Sequence, residues 1–276
     1  MGNALFVVWR ESIEAMLVIG ILYAWLQRNP APGGLRALWL GVGAGIGLAL
    51  LLGWAMLAAQ DELSGQALEW FQTAILFVAA ALITQMVLWM ARHGREMKGQ
   101  LEAGLARAAD RESWIGIAAI SALAIAREGA ETVIFLYGLG LEGNAAGSSG
   151  ASIGNNLALG ALAGFILAAL TAWAAARGLR FLDQRRFFQI TGLLLLIFAA
   201  ALLVAGSERL IGMGWLPALI EPLWDSAALL DDATPGGRLF ASLVGYRAQP
   251  SLMLLLIYTG YWIAVTFAKS RMMHRG

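Results

Sequence analysis

Residues 6–20 read FVVWRESIEAMLVIG, an apolar stretch interrupted near its start by Arg10, Glu11 and Glu14. A helix this apolar belongs in a bilayer, where one centrally placed charge costs about 2.5–3.5 kcal/mol or more. Three charges would offset much of what the surrounding Leu, Val and Ile residues gain. A chain that keeps them there has a use for them, and the rest of the sequence indicates which.

Composition fixes the class. The 276-residue chain is 59% hydrophobic and only 13% charged, with a mean hydropathy of +0.70, which excludes an ordinary soluble domain. It has no cysteine, which excludes disulfides, iron–sulfur clusters and thiolate metal sites. The N-terminus MGNALFVVW lacks a basic region and a small-residue cleavage site, so no cleaved signal peptide is expected. Apolar runs of about 20 residues, the length that spans a bilayer, fall at roughly 4–27, 36–59, 68–91, 114–138, 153–176, 187–206 and 251–269. The expected fold is an all-α integral membrane protein with seven transmembrane helices in a single domain.

Charge by side gives the orientation. The connections after helices one, three and five and the C-terminal tail hold 14 Lys and Arg residues, against Arg209, Arg238 and Arg247 on the opposite side. Positive charge stays inside, which puts the N-terminus outside and the C-terminus in the cytoplasm. The outer segments carry Asp61, Glu62, Glu69, Glu142, Glu208, Glu221, Asp225, Asp231 and Asp232, a surplus that would concentrate cations. The same surplus also arises trivially when bases are kept inside. Residues 92–113 suggest a short basic amphipathic helix lying on anionic lipid. The outer segment 207–250 includes WLPALIEPLW and reads as irregular, partly re-entrant structure. Trp25, Trp39, Trp70, Trp89 and Trp114 fit interfacial belts. His93 and His274 fall in cytoplasmic segments, and the methionines are dispersed as packing residues.

The opening motif recurs. Residues 125–138 read IAREGAETVIFLYG, so Arg127, Glu128 and Glu131 repeat the spacing of Arg10, Glu11 and Glu14. Helices one and four then run in opposite directions with their motifs at matched depth. This predicts a 3+3 inverted repeat (about 4–91 and 114–206) followed by helix seven. Such repeats place substrate sites at their interface near the midplane. Gly-rich GVGAGIG (41–47) and GALAG (160–164) take corresponding places in the two halves and favour close helix packing.

Helix geometry gives the motif its chemistry. Positions i and i+3 or i+4 share a face, so Arg10 can hold one carboxylate while the other stays free to coordinate. Four carboxylates and two guanidiniums, if they converge, sum to −2. An all-oxygen set of that charge suits a hard cation: iron, manganese, magnesium or calcium. The competing interpretation is that each motif is a closed ion pair bracing the bundle. It weakens when the motif occurs twice with an acid in excess each time.

Two R-E-x-x-E motifs in the first and fourth of seven helices resemble the high-affinity iron permeases, or oxidase-dependent iron transporters, in their bacterial EfeU-type form. The resemblance extends over the whole chain and includes the outer LWDSAALLDD (223–232) and GRLFASLVGYRAQPS (237–251). It implies iron uptake across the bacterial cytoplasmic membrane, no enzymatic activity, and no cofactor beyond iron as the transported substrate. It implies Glu11, Glu14, Glu128 and Glu131 as ligands, Arg10 and Arg127 as supporting ion pairs, and a separate extracytoplasmic oxidase, peroxidase or cupredoxin-like partner. Asp225, Asp231 or Asp232 could handle iron first at the outer face. Ser12 departs from the glycine favoured at the third motif position. Alternatives are a transporter of another divalent metal, such as lead or manganese, and a non-transporting membrane subunit. Nucleic acid has no place in any of these readings.

Overall fold

The computed structural model describes residues 2–29, 32–93, 97–110, 113–145, 150–177, 184–231 and 234–273. Among these residues the fold is entirely helical: α1 (Gly2–Arg28), α2 (Gly34–Glu62), α3 (Gly65–His93), α4 (Met97–Asp110), α5 (Trp114–Ala145), α6 (Gly150–Ala176), α7 (Gln184–Gly212), α8 (Pro235–Val244) and α9 (Leu252–Met273). Each of the seven expected apolar runs is a helix. The prolines described fall at the α1–α2 turn and between α7 and α9, outside helix interiors, and Pro235 takes the first turn of α8, where a missing N–H costs nothing. Ser113 starts α5 by accepting the Gly116 N–H at 3.0 Å on its Oγ.

Five helices are long and apolar enough to cross a membrane: α2, α3, α6, α7 and α9. This defines a multi-pass membrane protein. The other two long helices, α1 and α5, are those carrying an Arg-Glu-x-x-Glu motif, and their three charges keep them out of the set. The amphipathic helix expected within residues 92–113 is α4, but its apolar face is not spent on lipid. Leu105 and Ala108 are buried in a cluster with Leu22 and Leu26 of α1, Leu38 of α2 and Ile117 of α5.

The chain forms two compact units. The first comprises Met1–Glu62, His93–Leu136 and Leu157–Asp183, and therefore holds α1, α2, α4 and most of α5 and α6. Glycines set its helix spacing. A Cβ on Gly45 would lie 2.7 Å from the Ala122 carbonyl oxygen, and one on Gly41 would meet that of Ala118, so α2 lies directly on the backbone of α5. Gly164 of α6 in the same way admits α1, where a Cβ would come within 3.0 Å of the Trp9 nitrogen. Trp9 Nε1 also donates to Thr171 Oγ1 of α6 at 3.2 Å. The close packing expected of the Gly-rich stretches is present at these positions, whereas Gly43 and Gly47 face open space.

The second unit comprises Leu63–Arg92, Tyr137–Asn156 and Gln184–Gly276. Its centre is α7, where Leu195, Ala199, Ala201 and Leu202 are fully buried, as are Leu76, Ala79 and Ile83 of α3. Polar groups within this unit are tied to backbone. Tyr261 Oη meets Thr84 Oγ1 at 2.9 Å and donates to the Leu196 carbonyl. Arg209 donates to Gln72 at 2.6 Å and to the Leu141 carbonyl.

Candidate metal centre

Both motifs lie in the first unit. On α1, Arg10 is sealed in, its side chain 2% exposed. Its Nη1 donates to Glu11 Oε1 at 2.8 Å and its Nη2 pairs with Glu14 Oε1 one turn on. On α5, Arg127 Nε donates to Glu131 Oε1 at 3.0 Å, and the Arg127 side chain is 47% exposed. The i,i+4 spacing that suggested an arginine-held carboxylate is thus realised in both helices, as Arg10–Glu14 and Arg127–Glu131.

Carboxylates from the two helices converge. Glu11, Glu128 and Glu131 each offer one carboxylate oxygen, and all three oxygens lie within 4.8 Å of one another. The Oε2 atoms of these three residues are buried without a hydrogen-bond partner among the described residues. Two full negative charges about 4.8 Å apart repel by about 3–4 kcal/mol at an effective dielectric constant near 20. A brace needs only opposite charges brought together, so the approach of three carboxylates marks this group as a candidate cation site.

Glu14 does not join the three: it pairs with Arg10 and stands outside the group. The sequence placed Glu11 and Glu14 on one face with Arg10 holding one of them, whereas Arg10 engages both, and Glu11 still joins the group of three. Among the described residues, the acids expected at the outer face do not form a second cluster. Asp225 is exposed and both its oxygens are engaged in ordering the loop, Oδ1 by the Ala227 N–H at 2.9 Å and Oδ2 by Gln249 at 2.9 Å. These bonds hold its carboxyl below the usual carboxylate range, Ala227 contributing most. Asp231 accepts the Thr234 hydroxyl on its carbonyl, and Asp232, like His274, lies outside the described residues.

One contact at the site gave no sequence signal beyond glycine itself. A Cβ on Gly129, the residue between Glu128 and Glu131, would fall 2.5 Å from the Ala49 Cβ of α2. The third position of the second motif is therefore where α2 presses against the centre.

A helical multi-pass membrane protein with buried carboxylates converging from two charged helices belongs to the class of ion permeases. The comparisons with known proteins specify which. Residues 1–274 match the Iron permease FTR1 family, and the chain belongs to that family; it is a transporter and not an enzyme. It is similar to an uncharacterized protein of Archaeoglobus fulgidus, 29% identical over 276 residues, covering 96% of this chain and 93% of the relative. It is also similar to the ferrous iron permease EfeU of Escherichia coli O157:H7 (28% over 268 residues, 95% and 92%) and of Yersinia pestis (28% over 261 residues, 93% and 89%). No solved structure matches.

Proposed function

We propose that this protein carries iron across the bacterial cytoplasmic membrane, with Glu11, Glu128 and Glu131 as the ligand set that receives the ion. The observation that carries the proposal is the meeting of three carboxylate oxygens from two helices within 4.8 Å. Glu14 is the fourth carboxylate, held by Arg10 until the ion passes. With four glutamates and two arginines the site sums to 2 − 4 = −2 when all are ionised, so a divalent ion leaves it neutral. That favours ferrous iron as the species in the site and agrees with the name of the EfeU relatives. It also leaves room for manganese or lead, which share the charge.

In this reading α1 and α5 span the bilayer beside the five apolar helices, and the N-terminus is outside. The composition of the first unit supports an inverted repeat, because it draws together the first two long helices of each half, α1 and α2 with α5 and α6. Asp225, Asp231 and Asp232 would act only in first capture, and a separate extracytoplasmic oxidase, peroxidase or cupredoxin-like protein would deliver the ion.

The test is uptake of radioiron, offered as Fe2+, into proteoliposomes. Glu11→Gln and Glu128→Gln keep side-chain size while removing the charge. Each is expected to lower uptake at least about tenfold, the equivalent of one lost charge-assisted contact of about 1.5–3 kcal/mol, with normal membrane insertion. Wild-type uptake in the variant carrying both substitutions would remove the carboxylate centre from the transport path.

A further inference from the structure

The 39 residues between α7 and α9 (213–251) look like an external loop, yet their contacts carry them below the outer ends of the helices. The glycine that ends α8, Gly245, has φ +75°, and a Cβ there would meet Ala201 Cα of α7 at 3.0 Å. Ala201 is seven residues before Glu208 along α7. At 1.5 Å per residue this is about 10 Å beneath the level of the Glu208 and Arg209 charges that top the helix. The Tyr261–Leu196 hydrogen bond repeats the measurement from the other side. Leu196 is twelve residues before Glu208 and Tyr261 nine residues past Leu252, which starts α9 about 4–5 Å below Glu208. Arg247, two residues beyond the Gly245 turn, reaches back to the Glu208 carboxylate, with its Nε and Nη2 both at 2.8 Å from Oε2. An arginine extending from a deeper backbone to a charge at the helix end is the behaviour expected of a long cationic side chain near a membrane interface.

Irregular backbone is tolerated at membrane depth only where it is satisfied by protein or lines water. Here it is satisfied on one side. Leu223 N–H donates to the Pro250 carbonyl, Ser226 N–H to that of Ala248, and Leu252 N–H to that of Ile220. Tyr246 Oη closes the turn onto the Leu230 carbonyl at 2.8 Å. The other side is apolar and uncovered. Phe240, Leu243 and Val244 form one exposed stripe on α8. Trp215, Leu219 and Ile220 are exposed as well. Leu219 holds φ +67°, a backbone conformation costing about 1–2 kcal/mol for a residue with a Cβ, which is hard to reconcile with an aqueous loop free to turn that leucine inward.

We propose that residues 213–231 and 234–251 form a re-entrant element of the outer leaflet, which rests on the reading that the N-terminus is outside. The Phe240–Leu243–Val244 face of α8 contacts lipid acyl chains, and the Asp225–Gln249 edge faces water. The occupant is lipid because the depth set by Ala201 falls within the apolar length of α7 and α9, both of which cross the membrane by composition, and α9 is exposed there at Leu255 and Leu256. The proposal does not depend on which ion is transported.

Since the chain has no cysteine, single reporters are unambiguous. Nitroxides at Phe240, Leu243 and Ala228 in proteoliposomes would be read by power saturation with oxygen, which partitions into lipid, and with a water-soluble nickel chelate. Phe240 and Leu243 are expected to favour oxygen by several-fold, and Ala228, exposed in the turn after Asp225, to favour nickel. Nickel-dominated relaxation at Leu243 would place the segment above the bilayer and overturn the proposal. Protection from both reagents at Leu243 would also overturn it, because protein, including a second copy of this chain, would then cover the face. A nitroxide at Leu256, an exposed residue of α9, serves as the lipid standard should the α8 labels disturb folding.

Discussion

Arg10 and Arg127 hold the same place in two copies of one five-residue pattern, and the fold treats them oppositely. Arg10 is enclosed and engages both glutamates of its own motif. Arg127 engages Glu131 and leaves almost half of its side chain exposed. The α1 motif thus enters the centre with one free carboxylate oxygen already paired with a guanidinium at its other oxygen. The α5 motif supplies two carboxylates and an arginine that is half exposed. The difference teaches that a repeated motif need not repeat its role: one copy is a fixed wall and the other an adaptable one.

The widest gap between the copies is expected from their arginines. Arg10→Ala leaves two buried carboxylates without their cation, and breaking a buried pair in this way costs about 3–5 kcal/mol. Arg127→Ala removes a half-exposed partner, for which about 1 kcal/mol or less is expected. Thermal unfolding of the detergent-solubilised protein, with membrane abundance alongside, would measure both. Equal losses would erase the distinction between wall and adaptable side. An Arg127→Ala protein that is stable but inactive in iron uptake would sharpen it.

A smaller effect separates the third motif positions. Gly129→Ser would give the second motif the residue of the first, and would force a side chain against Ala49. Overpacking of this kind costs about 1–3 kcal/mol. The reciprocal Ser12→Gly is expected to cost no more than about 0.5–1 kcal/mol, the backbone penalty of glycine in a helix. The same unfolding assay decides between them, and a Gly129→Ser protein as stable as the parent would mean that α2 does not press on the centre.

The smallest effect is expected at Asp225, a carboxylate in water whose partners are local and which serves as a reference for the buried ones. Its folded pKa lies below the unfolded value near 3.9. Its contribution to stability is therefore present above that value and lost as pH falls through the lower folded one. Limited proteolysis of the outer segment should be constant from pH 7 to about pH 5 in the parent and rise only below about pH 4. Asp225→Asn keeps an acceptor for Ala227 N–H, so cleavage at pH 7 should change little. A marked rise in cleavage at pH 7 would show that the charge itself holds the loop.

Much of this was legible in the sequence. Seven apolar runs gave seven helices because hydrophobic length is a local property, and the paired motifs stood out because charge inside such runs is rare. The carboxylates that converge, Glu11, Glu128 and Glu131, were among the four expected. The exclusion of Glu14 was not legible, since helical spacing offers Arg10 either glutamate and the surrounding packing lets it engage both. Nor was the unequal burial of the arginines, which the shared five-residue pattern does not distinguish. The grouping of α1 and α2 with α5 and α6 is non-local. In the outer segment glycine and proline announced turns, but nothing in their spacing encodes that Gly245 would rest on Ala201.

The Arg10–Glu11, Arg10–Glu14 and Arg127–Glu131 pairs are each made within one helix. During biogenesis α1 leaves the ribosome more than a hundred residues ahead of the second motif, and its three charges would meet the membrane with no partner from α5. Because Arg10 finds Glu11 and Glu14 on its own helix, that compensation forms as soon as α1 coils. What translation of α5 later adds is therefore not rescue of a stranded cation but the second pair of carboxylates. The three-carboxylate group thus comes together at a late step of assembly, beside a helix already able to wait for it.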